Sequence, residues 1–256
     1  MLRIAMLSFA HVHANGYAQR VADHPETEIQ CIWDDDPVRG QNASERWDAP
    51  LIADLEQVVS RQDVDAVVIN AETSKHPLVM KAAIKHKKHI FTEKALTIDT
   101  AAADEIVKLV NESGIKFMIS LPNRTRPEIL FMKQALDQGW LGQVTLMRAR
   151  VAHSAALDVW FTEEKHNAWF VDKDLAGGGA LFDLGCHTVD VMRWFMGKPQ
   201  SIIAKIQNFS KTYDIDDNSA IVVEFESGAL GILDTSFVHR AGPRPIELFG
   251  TDGYVG

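Results

Sequence analysis

Short apolar runs alternate with stretches of helical spacing through the first half of the chain. Residues 3–9 form an apolar run that predicts a strand, and residues 14–22 follow with the spacing of an amphipathic helix. A second strand at 28–33 closes on Asp34-Asp35-Asp36-Pro37, and a helix is predicted over 54–60. The β-branched run at 66–69 predicts a strand, 77–87 a helix with a basic C-terminal end, and 89–92 a brief strand. An Ala-rich helix at 100–113, stopped by Gly114, leads to a strand at 116–120. Strands separated by helices of this length pair in parallel through right-handed crossovers, so this half predicts an α/β, doubly wound parallel sheet.

The pattern changes near Leu121-Pro122-Asn123-Arg124. A helix at 127–138 leads into a strand-like run at 144–151, a loop-rich stretch at 152–175 and a strongly apolar helix at 181–196, ended by Gly197. After Pro199 the period becomes two: 201–207, 219–226 and 229–237 predict strands, with Ser227-Gly228 as a hairpin turn. Residues 1–122 and 123–256 are thus expected to be two domains, the second α+β on a largely antiparallel open sheet. Residues 245–250 predict a further strand, 251–253 a turn and 254–256 the start of a return strand. A sheet rarely stops one residue pair into a hairpin, so either the protein continues past Gly256, which is the expectation, or its last strand is completed elsewhere.

Composition narrows the class. Hydrophobic residues make up 46% and charged residues 24% of 256, which is ordinary globular usage and excludes disordered and fibrous classes. Lys+Arg 26 against Asp+Glu 35 gives a net charge of −9 with no basic block, which argues against nucleic acid as a partner. No apolar run approaches the roughly 20 residues of a membrane helix, and the N-terminus turns polar too soon for a signal peptide. Cys31 and Cys186 lie far apart with no CxxC, so a disulfide framework or zinc cluster is not expected and a reducing cytoplasm is.

The chemistry-bearing residues gather at strand ends. In the first strand-to-helix turn, a dinucleotide fold needs small residues so that the backbone can approach a diphosphate. The GxGxxG spacing falls on Ser8, Ala10 and His13, with no glycine present. Asp34 lies about 20 residues beyond that turn, where an acid bonds the adenosine ribose; it reads equally as part of an acidic turn before Pro37. Asp35 follows with no adjacent arginine to receive a 2′-phosphate, which favours NAD over NADP. His89-Ile90-Phe91-Thr92-Glu93-Lys94 ends a strand on a Glu-Lys pair at the ligand-binding edge. Asp183, His187 and Asp190, after Gly177-Gly178-Gly179, share one face of an apolar helix at i, i+4 and i+7. Gly185 inside that helix suggests close approach by another group.

Together these segments resemble the Gfo/Idh/MocA oxidoreductases, named for glucose-fructose oxidoreductase and inositol dehydrogenase. Residues 65–69 with His76 are similar to the family's fourth-strand region, and Glu93-Lys94-Ala95 resembles its Glu-Lys-Pro signature. Residues 177–190 are similar to its second-domain helix, and Phe249-Gly250-Thr251-Asp252-Gly253 to a hairpin that members continue past. The resemblance implies a Rossmann domain and reversible hydride transfer between NAD and a secondary alcohol of a sugar, polyol or cyclitol. Lys94, Asp183 and His187 fall on its catalytic positions. Ser8, Ala10, His11, Asp34, Asn70, His76, Glu93, Lys94 and Asn123 fall on its cofactor side. A homodimer or homotetramer through the open sheet face is implied.

Ala95 departs from the family proline, and Asn70-Ala71-Glu72 lacks the usual Thr-Pro pair. Arg124, and Trp169, Asp172 and His166 in the loop before the glycines, are candidates to line a substrate cleft. Two other readings compete. One is a non-catalytic cofactor or metabolite sensor, motivated by the glycine-free turn. The other is a metal hydrolase using His11 and His13, which needs further ligands on later strands.

Overall fold

The computed structural model describes residues 1–162, 167–243 and 245–256. The chain divides into two compact units, residues 1–120 with 174–177, and residues 121–173 with 178–256.

In the first unit β1 (Leu2–Leu7), β2 (Thr27–Trp33), β3 (Ala66–Ile69), β4 (His89–Thr92) and β5 (Phe117–Ile119) form one parallel sheet in the order β2-β1-β3-β4-β5. The helices are α1 (Ala14–Asp23), α2 (Pro37–Trp47), α3 (Leu55–Ser60), α4 (His76–Lys85) and α5 (Thr100–Ser113). Alternate β1 residues serve two cores. Ala5 and Leu7 pack with Val58, Val79, Met80 and Ile106 from α3, α4 and α5, while Ile4 and Met6 pack with Ala18 of α1 and Ala43 of α2. A sheet covered on both faces has near-continuous apolar strands, which is why its strands read as unbroken runs.

Helix α2 is absent from the sequence expectation. It buries only Gly40 and Ala43, so it leaves no apolar stripe to read. Its start is local chemistry: Asp36 accepts from the backbone N–H groups of Val38 and Arg39 at 2.8 and 3.0 Å, and Pro37 occupies the first turn.

In the second unit α6 (Pro127–Asp137) precedes β6 (Val144–Ala152). Then come α7 (Lys173–Ala176), whose last residues belong to the first unit, α8 (Ala180–Asp183) and α9 (Gly185–Met196). β7 (Pro199–Gln207), β8 (Asn218–Phe225), β9 (Leu230–Ser236), β10 (Ile246–Gly250) and β11 (Tyr254–Val255) join β6 in a sheet ordered β11-β10-β6-β9-β8-β7. All neighbours are antiparallel except β6 and β9. Val191, Met192 and Phe195 of α9 cover one face, packing on Met147, Ile221, Val223, Leu233 and Leu248. The other face carries Ile203, Val222 and Ile232 in register across β7, β8 and β9, all exposed. The helix expected over 181–196 is interrupted at Leu184, where the His187 amide bonds the Leu184 carbonyl at 3.2 Å.

Candidate functional site

In the first unit the carboxyl ends of the strands bring the candidate residues together. Ser8 takes a left-handed backbone (φ 69°), the conformation for which a dinucleotide turn ordinarily uses glycine. Its amide bonds the Trp33 carbonyl at 2.6 Å, and its Oγ accepts from the Ala10 amide at 3.2 Å. The turn is stitched to both neighbouring strands: Phe9 N–H donates to Asp34 Oδ2 (2.7 Å) and His11 N–H to the Asn70 carbonyl (2.9 Å). Helix α1 then opens at His13 with no side-chain cap, leaving its positive end for an anion.

Asp34 sits at the end of β2 as expected, but its carboxylate is wholly covered and taken up by this chain. Arg39 reaches both oxygens, and the Asp36 amide donates to Oδ1 at 3.0 Å. The expectation that no arginine adjoins the acidic run fails in three dimensions, because one turn of α2 returns Arg39 to Asp34 and Asp35. Arg39 also contacts Ser8 Oγ (3.2 Å) and Glu72 (3.5 Å), and Lys75 pairs with Asp35 and Glu72. Asp35 is the partly exposed acid of this group.

Asn70, at the end of β3, is fully buried with neither Oδ1 nor Nδ2 hydrogen-bonded. A buried, unsatisfied amide is costly, so Asn70 calls for partners from outside the chain, water or a ligand. His76 is placed differently from the expected cofactor contact. It is completely buried, with Nδ1 2.9 Å from the Ala95 carbonyl and Nε2 3.1 Å from the Ala71 carbonyl. Burial lowers its pKa against the raising effect of these carbonyls, and the ring braces the turn after β4.

That turn carries Glu93 and Lys94, both buried, and its Lys94–Ala95 peptide is cis. Glu93 Oε1 accepts from the Tyr17 hydroxyl (2.5 Å) and lies 2.9 Å from His13 Nδ1, while Oε2 accepts the Lys94 amide (3.0 Å) and lies 3.6 Å from His11 Nε2. Tyr17 also meets Ser120 Oγ at 2.8 Å. Burial alone would raise the Glu93 carboxyl; the His13 hydrogen bond and the nearby His11, His13 and Lys94 outweigh it and hold the group well below the usual carboxylate range. The Tyr17 phenol is pushed up, first by burial and then by Glu93.

His11, His13 and Glu93 have the spacing of a metal site, with ligand atoms within 4.8 Å of one another. The hydrogen bonding points elsewhere. His11 Nδ1 accepts the His13 amide at 3.2 Å, which places the ring proton on Nε2, the nitrogen that faces Glu93. A metal at Nε2 needs that proton on Nδ1, against the His13 N–H. His13 and Tyr17 donate to the Glu93 carboxylate, and His11 Nε2 lies 3.6 Å from it.

In the second unit the glycine run is explained by Asp216. Its carboxylate accepts from the Gly179 and Leu181 amides at 3.0 and 2.7 Å, and its carbonyl from Ala180 at 2.9 Å. A Cβ at Gly179 would lie 1.8 Å from the Asp216 carbonyl oxygen, so only glycine fits. The group approaching Gly185 is the Leu181 side chain, with Thr235 of β9 behind it. Asp183 and His187 are half-buried one turn apart on α8 and α9, and Cys186 Sγ donates to the Asp183 carbonyl at 3.1 Å. Asp190 is engaged otherwise: Arg124 holds it at 2.8 Å and lies over Trp194 at 5.0 Å, so these two candidates form an ion pair. Asn123 is buried. Trp169 stacks on Phe170 at 4.0 Å inside an aromatic cluster, which is packing; His166 lies outside the described residues. Sequence reasoning missed Tyr17, Arg39 and Asp216. Tyr17 stands one helical turn from His13, the only local signal among the three.

Residues 3–121 match the family model described as an oxidoreductase family with NAD-binding Rossmann fold, and residues 129–256 the GFO/IDH/MocA C-terminal domain. Myo-inositol 2-dehydrogenase of Thermotoga maritima is 25% identical over 209 residues, 79% of this chain and 59% of that enzyme. The scyllo-inositol 2-dehydrogenase (NAD(+)) of Bacillus subtilis is 25% identical over 263 residues, 99% of this chain and 73% of that enzyme. GenD2 from gentamicin A biosynthesis, solved in complex with NAD, superposes with a TM-score of 0.88 at 24% identity, covering 99% of this chain and 71% of that one.

Proposed function

The chain belongs to the GFO/IDH/MocA oxidoreductases, and from that premise we propose that it transfers a hydride between NAD and a secondary alcohol of a sugar, polyol or cyclitol. The observation that carries this reading is the buried Asn70 amide without partners beside the β1–α1 turn, on the edge where Rossmann folds bind dinucleotides. Ser8, Ala10 and His11 would face the diphosphate, Asn70 and Glu93 the nicotinamide half, with Asn123 a further contact. The bound cofactor supplies the hydride acceptor. Lys94 donates to the reacting oxygen as negative charge develops there. His187 takes the hydroxyl proton, and Asp183 orients that imidazole or holds a neighbouring substrate hydroxyl.

NAD is favoured over NADP by charge. Asp34, Asp35 and Glu72 outnumber Arg39 and Lys75, so the group beyond β2 has no surplus cation for a 2′-phosphate. Because Asp34 is saturated, Asp35 is the acid placed to meet the ribose. Titration of the protein with NADH and separately with NADPH tests this: tight NADH and weak NADPH binding supports it. Binding of neither removes the dehydrogenase reading and leaves a sensor of other metabolites.

The open sheet face suits a second copy of this chain, giving a homodimer or homotetramer. Among the described residues no helix is long and apolar enough to cross a membrane. Cytoplasmic residence fits two free cysteines.

A further inference from the structure

The motif left over from this reading is His11-Val12-His13, which stands where a dinucleotide turn has small residues. Resting on the NAD reading above, we propose that His13 anchors the diphosphate of the dinucleotide, its Nε2 donating to a phosphate oxygen while Glu93 fixes the ring through Nδ1.

Four observations carry this. His13 stands just before α1, whose N-terminus has no side-chain cap, so the helix offers a partial positive charge at this residue. A bulky side chain at this point must leave the helix–strand contact, and it does so by reaching across to β4, where Nδ1 lies 2.9 Å from Glu93 Oε1. The two ring nitrogens diverge, so Nε2 is turned away from Glu93. The side chain is 53% exposed whereas Glu93 is fully covered, and Nε2 has no hydrogen bond among the described residues. Finally, Asn70, whose carbonyl accepts the His11 amide, is buried with both side-chain polar atoms unpartnered, an independent sign that a polar ligand completes this turn.

The charges agree. Glu93 stays ionised and accepts from His13 at Nδ1. The other groups facing the ring are the His11 imidazole, 4.6 Å away between centroids, and the Tyr17 phenol, whose proton is already given to Glu93. Lys94 and Arg20 act from further off, through Glu93 and Tyr17 respectively. An anion entering this turn therefore meets a donor held by a buried carboxylate, and phosphate accepts such charge-assisted bonds strongly. Glu93 and Tyr17 are positioning residues for His13.

The test compares wild type with His13→Gly, His13→Leu and His13→Gln in the full chain. NADH binding is followed by fluorescence and ADP-ribose binding by calorimetry, with thermal unfolding of ligand-free protein as the check on folding. His13→Gly restores the glycine of the usual turn, so a mere packing role predicts unchanged or tighter binding. The anchor role predicts about tenfold weaker binding of both ligands, the size of one lost charge-assisted hydrogen bond. His13→Leu fills the same space without a donor and carries the same expectation should the glycine variant fail to fold. His13→Gln keeps a donor amide and should stay within about threefold of wild type. Glycine and leucine variants that bind like wild type, or a glutamine variant as weak as they are, overturn the proposal alone. Wild-type protein that binds neither ligand overturns the dinucleotide reading and this inference with it.

Discussion

Arg39 closes over the Asp34 carboxylate, its Nε 3.0 Å from each oxygen and its Nη2 2.7 Å from Oδ1. This pair ties the end of β2 to the first turn of α2, and through Phe9 N–H to the turn after β1. Removing one member of a covered ion pair strands the other charge, at a cost of about 3–5 kcal/mol. Arg39→Ala and Asp34→Ala are each expected to lose about 3 kcal/mol in urea unfolding. The double variant should lose less than the two single losses combined, because the interaction is shared. Additive losses would show that the pair is not coupled.

Glu93 gives a pH signature. A carboxylate held below its unfolded value of about 4.3 contributes stability that is complete above that value and is lost as pH falls through the lower folded value. Glu93→Gln is expected to be about 2 kcal/mol less stable than wild type at pH 7. The gap should narrow below about pH 4, as wild type begins to lose its advantage. Denaturant midpoints measured from pH 7 to pH 3 read this directly; a gap independent of pH contradicts it.

Gly179 and Gly16 should respond oppositely to alanine. At Gly179 the added Cβ meets the Asp216 carbonyl at 1.8 Å, so Gly179→Ala is expected to lose more than about 2 kcal/mol by displacing the start of α8. At Gly16, inside α1, nothing lies within 4 Å, and Gly16→Ala is expected to gain about 0.5–1 kcal/mol. Thermal melts of the two variants decide between them.

Lys94→Ala and His187→Ala should each lower turnover by about 10² to 10⁴ while NADH affinity stays within a few-fold of wild type. Single-turnover kinetics beside NADH titration separate the two quantities. A variant that loses affinity and keeps its chemical rate would place that residue on the cofactor rather than on the reaction.

Ile203 is 76% exposed and stands in register with Val222 and, beyond it, Ile232. Such a stripe is expected to be covered by a second copy. Light scattering should give a multiple of the protomer mass for wild type and a smaller mass for Ile203→Asp combined with Val222→Asp. A monomeric wild type rules the oligomer out.

What the sequence determined by itself was the part written in local periodicity. The doubly covered parallel sheet, the antiparallel open sheet, the apolar helix expected over 181–196, though not its break at Leu184, and the strand ending on Glu93 and Lys94 follow from spacings of two and about four residues. Those spacings record which face of each strand or helix is buried. Helix α2 escaped because it buries too little to leave a stripe, yet it delivers Arg39. The site's partnerships lie beyond local spacing. Asp216 caps residues 37 positions earlier, Arg124 holds Asp190 across 66, and Tyr17 and His13 meet Glu93 across 76 and 80. Only the alignment of strands in the parallel sheet brings Tyr17, His13 and Glu93 to one edge. The tertiary structure therefore decided that His11, His13 and Tyr17 gather around the buried Glu93 carboxylate, that Asp34 is held by Arg39, and that His76 lies between backbone carbonyls.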